Sequence, residues 1–222
     1  SLFENYINIR TDLTLSDKVA NTIKLKLSND IYEKIFTVAQ SIADNKASVI
    51  YHCLQRMFKY GTSVLHNIND EYIFQFNKIY KKAANEAHFY IEILRFNENA
   101  NGFLTARIEP DNNIIYMIID HFNDRLHCEN FLIYDVRRNI AYIHMNNNTA
   151  FFYNDYNNEL LKQLDDFSDN ENDIQNLWIR FYNTIAIKER VNYKCQINML
   201  PLKYRKYLPE LPIKKGIPPN NN

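Results

Sequence analysis

The chain has 222 residues, 26 Lys and Arg against 26 Asp and Glu, and is 46% hydrophobic and 14% aromatic. That is enough apolar material to bury one large core or two smaller ones, while a net charge of zero excludes the whole-molecule field that draws a strongly basic protein to nucleic acid. Only three glycines are present, which excludes a Walker loop or a GxGxxG cradle, and no cofactor is expected.

The first predicted element is a helix over residues 28–43, with Ile31, Ile35, Val38, Ala39 and Ile42 at helical spacing behind Ser28 as N-cap. A second helix carries Val49, Ile50, Cys53, Leu54 and Met57 on one face and stops at Gly61. A third runs from about Asp70 to His88, with Ile73, Phe76, Tyr80, Ala83, Ala84 and Ala87 inward; His88, on its alanine face, reads as a core histidine. The pattern then turns to strands: Tyr90 to Phe96 and Gly102 to Ile108 form a hairpin across Asn97–Asn101. Ile114 to Phe122 is a buried helix started by Asp111 or Asn112. Phe131 to Asp135 and Ile140 to Met145 are strands around the turn Val136-Arg137-Arg138-Asn139, and Phe151 to Tyr153 adds an edge.

From Asn154 to Asp173 seven acids face the single Lys162, a local charge of −6. Within and beyond that stretch, Ser168 and Glu171 form a capping box ahead of the apolar stripe Ile174, Leu177, Trp178, Phe181, Ile185. Ala186 to Lys215 then carries eight bases, Lys214 and Lys215 among them, against Glu189 and Glu210, a local charge of +6. The two blocks cancel in the total without having to cancel in space.

This order of elements predicts an α+β fold: an antiparallel sheet of four to five strands covered by helices, preceded by a helical N-terminal region. The expected division is residues 1–68, sharing the core, and 69–222, an α+β domain with a basic C-terminal arm. Cys53, Cys128 and Cys195 are far apart and form no CxxC pair, which suits a reducing, cytoplasmic setting. Neither a membrane-spanning run nor a leader pattern is visible, so no membrane partner is expected.

Among candidate sites, His121, His127 and Cys128 match no standard zinc spacing, and metal binding is not expected. His121 and Arg125 lie four apart on one helix face and could hold a phosphate or polarise a base; the plainer reading is a partly buried histidine. Arg137 and Arg138 beside Asp135 form a loop tip, which suits either function or edge solubility. The arm is different in kind. Arg190 and Asn192 follow the helix end, and Lys203-Tyr204-Arg205-Lys206-Tyr207 follows Pro201. Bases alternating with tyrosines suit phosphates and unpaired bases, and the prolines stiffen the path. An arm that packs its rings on the sheet and leaves its lysines in water fits equally.

The blocks EAHFYIEILRF, GFLTARIEPDNNI, DHFNDRL, FLIYDVRRNIA and LWIRFYNTIAIKERVNYKCQINMLPLKYRKYLPE, in that order over the last two-thirds of the chain, resemble a bacterial family associated with DNA metabolism, whose core is a domain of unknown function. The matching positions are Arg95, Glu109, Pro110, Asp111, Asn113, His121, Phe122, Asp124, Arg125, Asp135, Arg138, Trp178, Ile187, Arg190, Asn192, Pro201, Tyr204, Tyr207, Pro209 and Glu210. Asn112, Leu200, Lys203 and Arg205 depart from it, standing where that family has His, Met, Arg and Trp. The resemblance implies a place near DNA, beside a radical-SAM protein of DNA modification or repair. It leaves three readings: a nucleic-acid-binding accessory protein; a base-excision enzyme with His121 and Asp135 as acid and base and Arg125 and Arg190 as phosphate clamps; or a protein–protein scaffold.

Overall fold

The computed structural model describes residues 11–147, 149–155, 158–164 and 167–211, and only the backbone of Gln163, Asp169 and Lys188. Asp165, Asp166, Lys214 and Lys215, which contribute to the two charge blocks, lie outside the described residues. The chain forms two compact units, Ser1–Asn85 and Glu86–Asn222.

In the first unit, α1 (Leu13–Lys26) and α2 (Asn29–Ala39) each begin at a side-chain cap. Asp12 Oδ1 accepts from Leu15 N at 3.0 Å, and Ser28 Oγ accepts from Ile31 N at 3.1 Å. These bonds satisfy amides that the first turn leaves without intrahelical partners. The next helix, α3 (Lys46–Tyr60), stops at Gly61, whose φ of 84° is open to glycine at little steric cost. Ile31, Ile35, Val38, Val49, Cys53 and Met57 pack with Ile23, Ile73 and Phe76 in one apolar cluster. Burying each large side chain of this kind is worth about 1.5–3 kcal/mol. Ile42 falls beyond the end of α2 and is exposed, because the helix ends before the stripe does. The same cluster pushes the Cys53 thiol up to about 11, chiefly by burial, which leaves it unreactive.

The division between units falls inside α4 (Glu71–Ile93). The strand expected over Tyr90–Phe96 is mostly the end of this helix: Ala83, Ala87 and Tyr90 are all buried, and their spacing of four and three keeps the helical period. His88 is exposed and lies 3.2 Å from Glu92, so it is not the core residue its alanine neighbours suggest. The hairpin survives in shorter form, with β1 (Asn97–Glu98) antiparallel to β2 (Leu104–Ile108) around a turn that holds Gly102 at φ 77°.

From β2 the chain crosses through α5 (Ile115–Arg125) to β3 (Phe131–Asp135), and β2 and β3 pair in parallel. The sheet is therefore mixed rather than wholly antiparallel, since an intervening helix returns the chain to the same end and permits a parallel pair. β4 (Ile140–His144) and β5 (Ala150–Asn154) continue antiparallel, and the five strands lie in sequence order. The fold is α+β, with a helical N-terminal region ahead of the sheet.

Alternation along the strands gives the sheet two faces. Ile108, Phe131, Ile133 and Tyr142 pack with Ile115, Ile118 and Phe122 of α5 on one. On the other, Leu132, Tyr134 and Ala141 are covered by Leu164 with Leu160 and Leu161 of α6 (Glu159–Gln163). Thr105 and Arg107 of β2 pair with Leu132 and Tyr134 and so share this second face.

α7 (Asp169–Ile185) opens on half of the expected capping box. Ser168 Oγ accepts from Glu171 N, but the Glu171 carboxylate takes the Glu98 amide at 3.0 Å instead of reaching back to Ser168. Its stripe residues Ile174, Leu177, Phe181 and Ile185 are each at least half exposed. α8 (Tyr193–Met199) follows, and residues 200–211 close the described chain in short turns. Among the described residues no helix is long and apolar enough to cross a membrane.

Candidate functional site

The arm lies across the loop that follows β2. Glu86, on the buried side of α4, accepts from the Asp111 and Asn112 amides at 3.0 and 2.8 Å and from Asn112 Nδ2 at 2.7 Å. Those bonds pin residues 111–112 and orient the acids on either side of Pro110. Lys203 Nζ then reaches Asp111 at 2.8 Å and Glu86 at 3.4 Å, while Lys206 Nζ pairs with Glu109, which also accepts from the Tyr207 hydroxyl at 3.3 Å. Tyr204 stacks on Phe89 with ring centroids 4.8 Å apart and meets Tyr90 edge-on at 5.4 Å. Lys203, Lys206, Tyr204 and Tyr207 are therefore engaged with the body of the unit, and the charges of these two lysines are answered by carboxylates close by. Hydrogen bonds from Lys206 and Lys203 hold Glu109 and Asp111 below their ordinary carboxyl values.

The hairpin tip braces the same loop from the other side. Asp135, fully buried at the end of β3, accepts from the Arg137 and Arg138 amides at 3.0 and 3.3 Å and from Arg138 Nη1 at 2.7 Å. Burial pushes its carboxyl above the usual range, against the pull of Arg138 and the two amides. Arg138 Nη2 donates to the Asp111 carbonyl at 2.6 Å, and Arg137 pairs with Asp111 at 3.0 Å. With both oxygens bonded and no exposed surface, Asp135 orders a turn and has no path to a substrate.

The crossover sets Asp135 apart from His121. α5 returns from the end of β2 to the start of β3, which carries His121 and Arg125 toward the end where β3 begins, while Asp135 closes its far end. Five strand residues separate those ends by roughly 13 Å. The His121 ring packs edge-on against its neighbour Phe122. Arg190 is exposed on the turn between α7 and α8, Asn192 is occupied as the α8 cap, accepting from Cys195 N at 2.9 Å, and Arg205 is buried with Nε on the Leu200 carbonyl at 2.9 Å. The structure thus joins Asp135, Arg137, Arg138, Lys203, Lys206 and Tyr207 through one loop and leaves His121, Arg125 and Arg190 outside it.

Where the second face of the sheet runs past α6 toward β1, it floors a cleft of about 420 Å³. Arg107 and Thr105 line it from β2 and Asn97 from β1, Phe167 ahead of α7 and Gln175 within α7 line it on one side, and Lys206 to Pro209 of the arm complete it. Arg95 stands at the rim. Its Nη2 donates to Glu210 at 3.1 Å, and its guanidinium lies over the Trp178 ring, 5.8 Å from the centroid. Arg95, Trp178 and Glu210 are far apart in the sequence and meet only through the fold. Arg95, Arg107 and Lys206 give the cleft three cations, with tyrosine and phenylalanine rings beside them.

Glu86, Arg95 and Arg107 are among the members of this arrangement that lay outside the site residues expected from the sequence. Glu86 had a visible signal, a lone carboxylate on an alanine helix face. Arg107 had a weaker one, a charge inside a strand whose other face is apolar.

The model of a family described as a domain of unknown function, DUF4130, matches residues 44–210. Comparison with curated proteins and with solved structures finds no match.

Proposed function

The chain belongs to the DUF4130 family, and from the geometry of the cleft we propose that it is a nucleic-acid-binding accessory protein of DNA metabolism. One observation carries this reading: Arg95, Arg107 and Lys206 converge on one cleft walled by aromatic rings. Cations neutralise phosphates and ring faces stack on unpaired bases, so this combination favours single-stranded or locally opened strands. Asp135, spent on Arg138 and the hairpin amides, favours binding over acid–base catalysis by the pair His121 and Asp135.

Titration of single- and double-stranded oligonucleotides at several salt concentrations tests it. One to three phosphates neutralised on a single strand give a slope of log K against log salt between about −0.7 and −2. Absence of binding, or an affinity flat against salt, overturns the reading. A radical-SAM partner is supported by the resemblance alone, and co-purification of the two proteins is its test.

A further inference from the structure

The cleft offers more than positive charge, and its floor points to the kind of ligand it would hold. Gln175 Nε2 donates to Asn97 Oδ1 at 3.2 Å and to Glu171 Oε1 at 3.0 Å. Those bonds leave Asn97 Nδ2 as the donor and Gln175 Oε1 as the acceptor that this amide pair has to offer a ligand. Adjacent donor and acceptor groups complement the hydrogen-bonding edge of a nucleobase, which carries the two in neighbouring positions. Phe167 and Tyr207 supply ring surface in the same cleft, and its volume of about 420 Å³ lies within the range of sites for small molecules.

The charges argue for one nucleotide rather than a length of strand. Arg95 is bonded to Glu210, Lys206 to Glu109, and Gln175 to Glu171. These carboxylates hold the polar groups in place and reduce the positive excess of the cleft. A small excess suits a single phosphodiester, whereas a run of phosphates needs a continuous basic track.

Building on the nucleic-acid reading above, we propose that the cleft receives one unpaired nucleotide, with its phosphodiester against Arg95, Arg107 and Lys206 and its base against the rings and the Asn97–Gln175 amides. The chain provides its own reporter. Trp178 is the only tryptophan, and the Arg95 guanidinium lies over its ring.

The test is a fluorescence titration of the full chain with the dinucleotide dTpdT, thymidine, inorganic phosphate and oligo(dT). The dinucleotide should give a saturable change in Trp178 emission, with thymidine and phosphate each weaker by about tenfold or more. Gln175→Ala should weaken dTpdT by about tenfold as well, since base contacts of this kind carry that much affinity. Arg107→Gln should do the same, but it lies within a strand; Gln175, on a partly exposed helix face, gives the variant less able to disturb folding. Phosphate binding as well as dTpdT would reduce the cleft to an anion site and overturn the proposal, as would dTpdT binding that Gln175→Ala leaves unchanged. If oligo(dT) binds with the expected salt slope while dTpdT does not, the single-nucleotide site falls and the nucleic-acid reading stands. If neither binds, both fall.

Discussion

Glu86 sits among alanines on a helix face that otherwise buries small apolar side chains, and its carboxylate gathers two loop amides, the Asn112 amide group, Lys203 and the Tyr204 hydroxyl. A buried charge is tolerated only when hydrogen bonds replace its lost water, and here those bonds also give residues 111–112 the order that they lack as loop. Glu86→Gln keeps the shape but turns an NH2 group toward donors. The expected loss is about 1.5–3 kcal/mol, the range for hydrogen bonds to a charged group, read as a lower urea midpoint at unchanged slope. A loss below about 0.5 kcal/mol would mean that the loop is held by other contacts. This residue shows the limit of sequence reading at its own scale. A lone acid on an apolar face announces that it needs partners, but those partners lie well beyond a helix turn in the chain.

At the scale of elements, the arm is held to the β2 loop mainly by ion pairs with partly exposed carboxylates, Lys203 with Asp111 and Lys206 with Glu109. Exposed pairs of this sort are worth at most about 1 kcal/mol each, so the attachment depends on conditions. Both carboxyls have folded values below their unfolded ones, first because of the lysine hydrogen bonds. The sign follows: the clasp contributes fully above the unfolded carboxylate values near pH 4 and is lost as pH falls through the lower folded values. Because Glu210 of the arm holds Arg95 over Trp178, tryptophan emission should stay flat above about pH 5 and shift below about pH 4. In Lys203→Ala the shift should move up in pH, since Asp111 loses its strongest depressing partner; emission unchanged down to pH 2 would count against the clasp. Most elements were legible before the structure: the caps at Ser28 and Ser168, the stop at Gly61 and the tip at residues 136–139 all follow from local chemistry. Three features were not. The end of α4 read as a strand because Tyr90 to Phe96 is aromatic and β-branched, and only burial at Ala83, Ala87 and Tyr90 reveals the helical period. The parallel pairing of β2 with β3 depends on the path of α5, which no strand pattern encodes. The α7 stripe is clear in the sequence, but its exposure is not, because amphipathicity states which face favours burial and not what covers it. The cleft was the least legible feature, since its lining comes from β1, β2, α7, the arm and the segments ahead of β1 and α7.

For the whole molecule, a net charge of zero supplies no overall field to draw in a polyanion, and Lys203 and Lys206 of the arm are answered by nearby carboxylates, so strong attraction beyond a Debye length of about 8 Å is not expected. A protein that finds nucleic acid by long-range attraction associates at about 10⁸–10⁹ M⁻¹s⁻¹ in low salt, and the rate collapses as salt is added. On the proposed reading the cations act only once a strand has reached the cleft, so the charge should govern how long the complex lasts. Stopped-flow mixing with oligo(dT), followed by Trp178 emission, should give an association rate on the order of 10⁵–10⁶ M⁻¹s⁻¹. That rate should change by less than about threefold between roughly 50 and 200 mM salt, with the salt dependence of the equilibrium carried by dissociation. An association rate near 10⁸ M⁻¹s⁻¹ that falls steeply with salt would require a basic track larger than this cleft. It would shift the binding surface to cations outside it, Arg125 and Arg190 first among them.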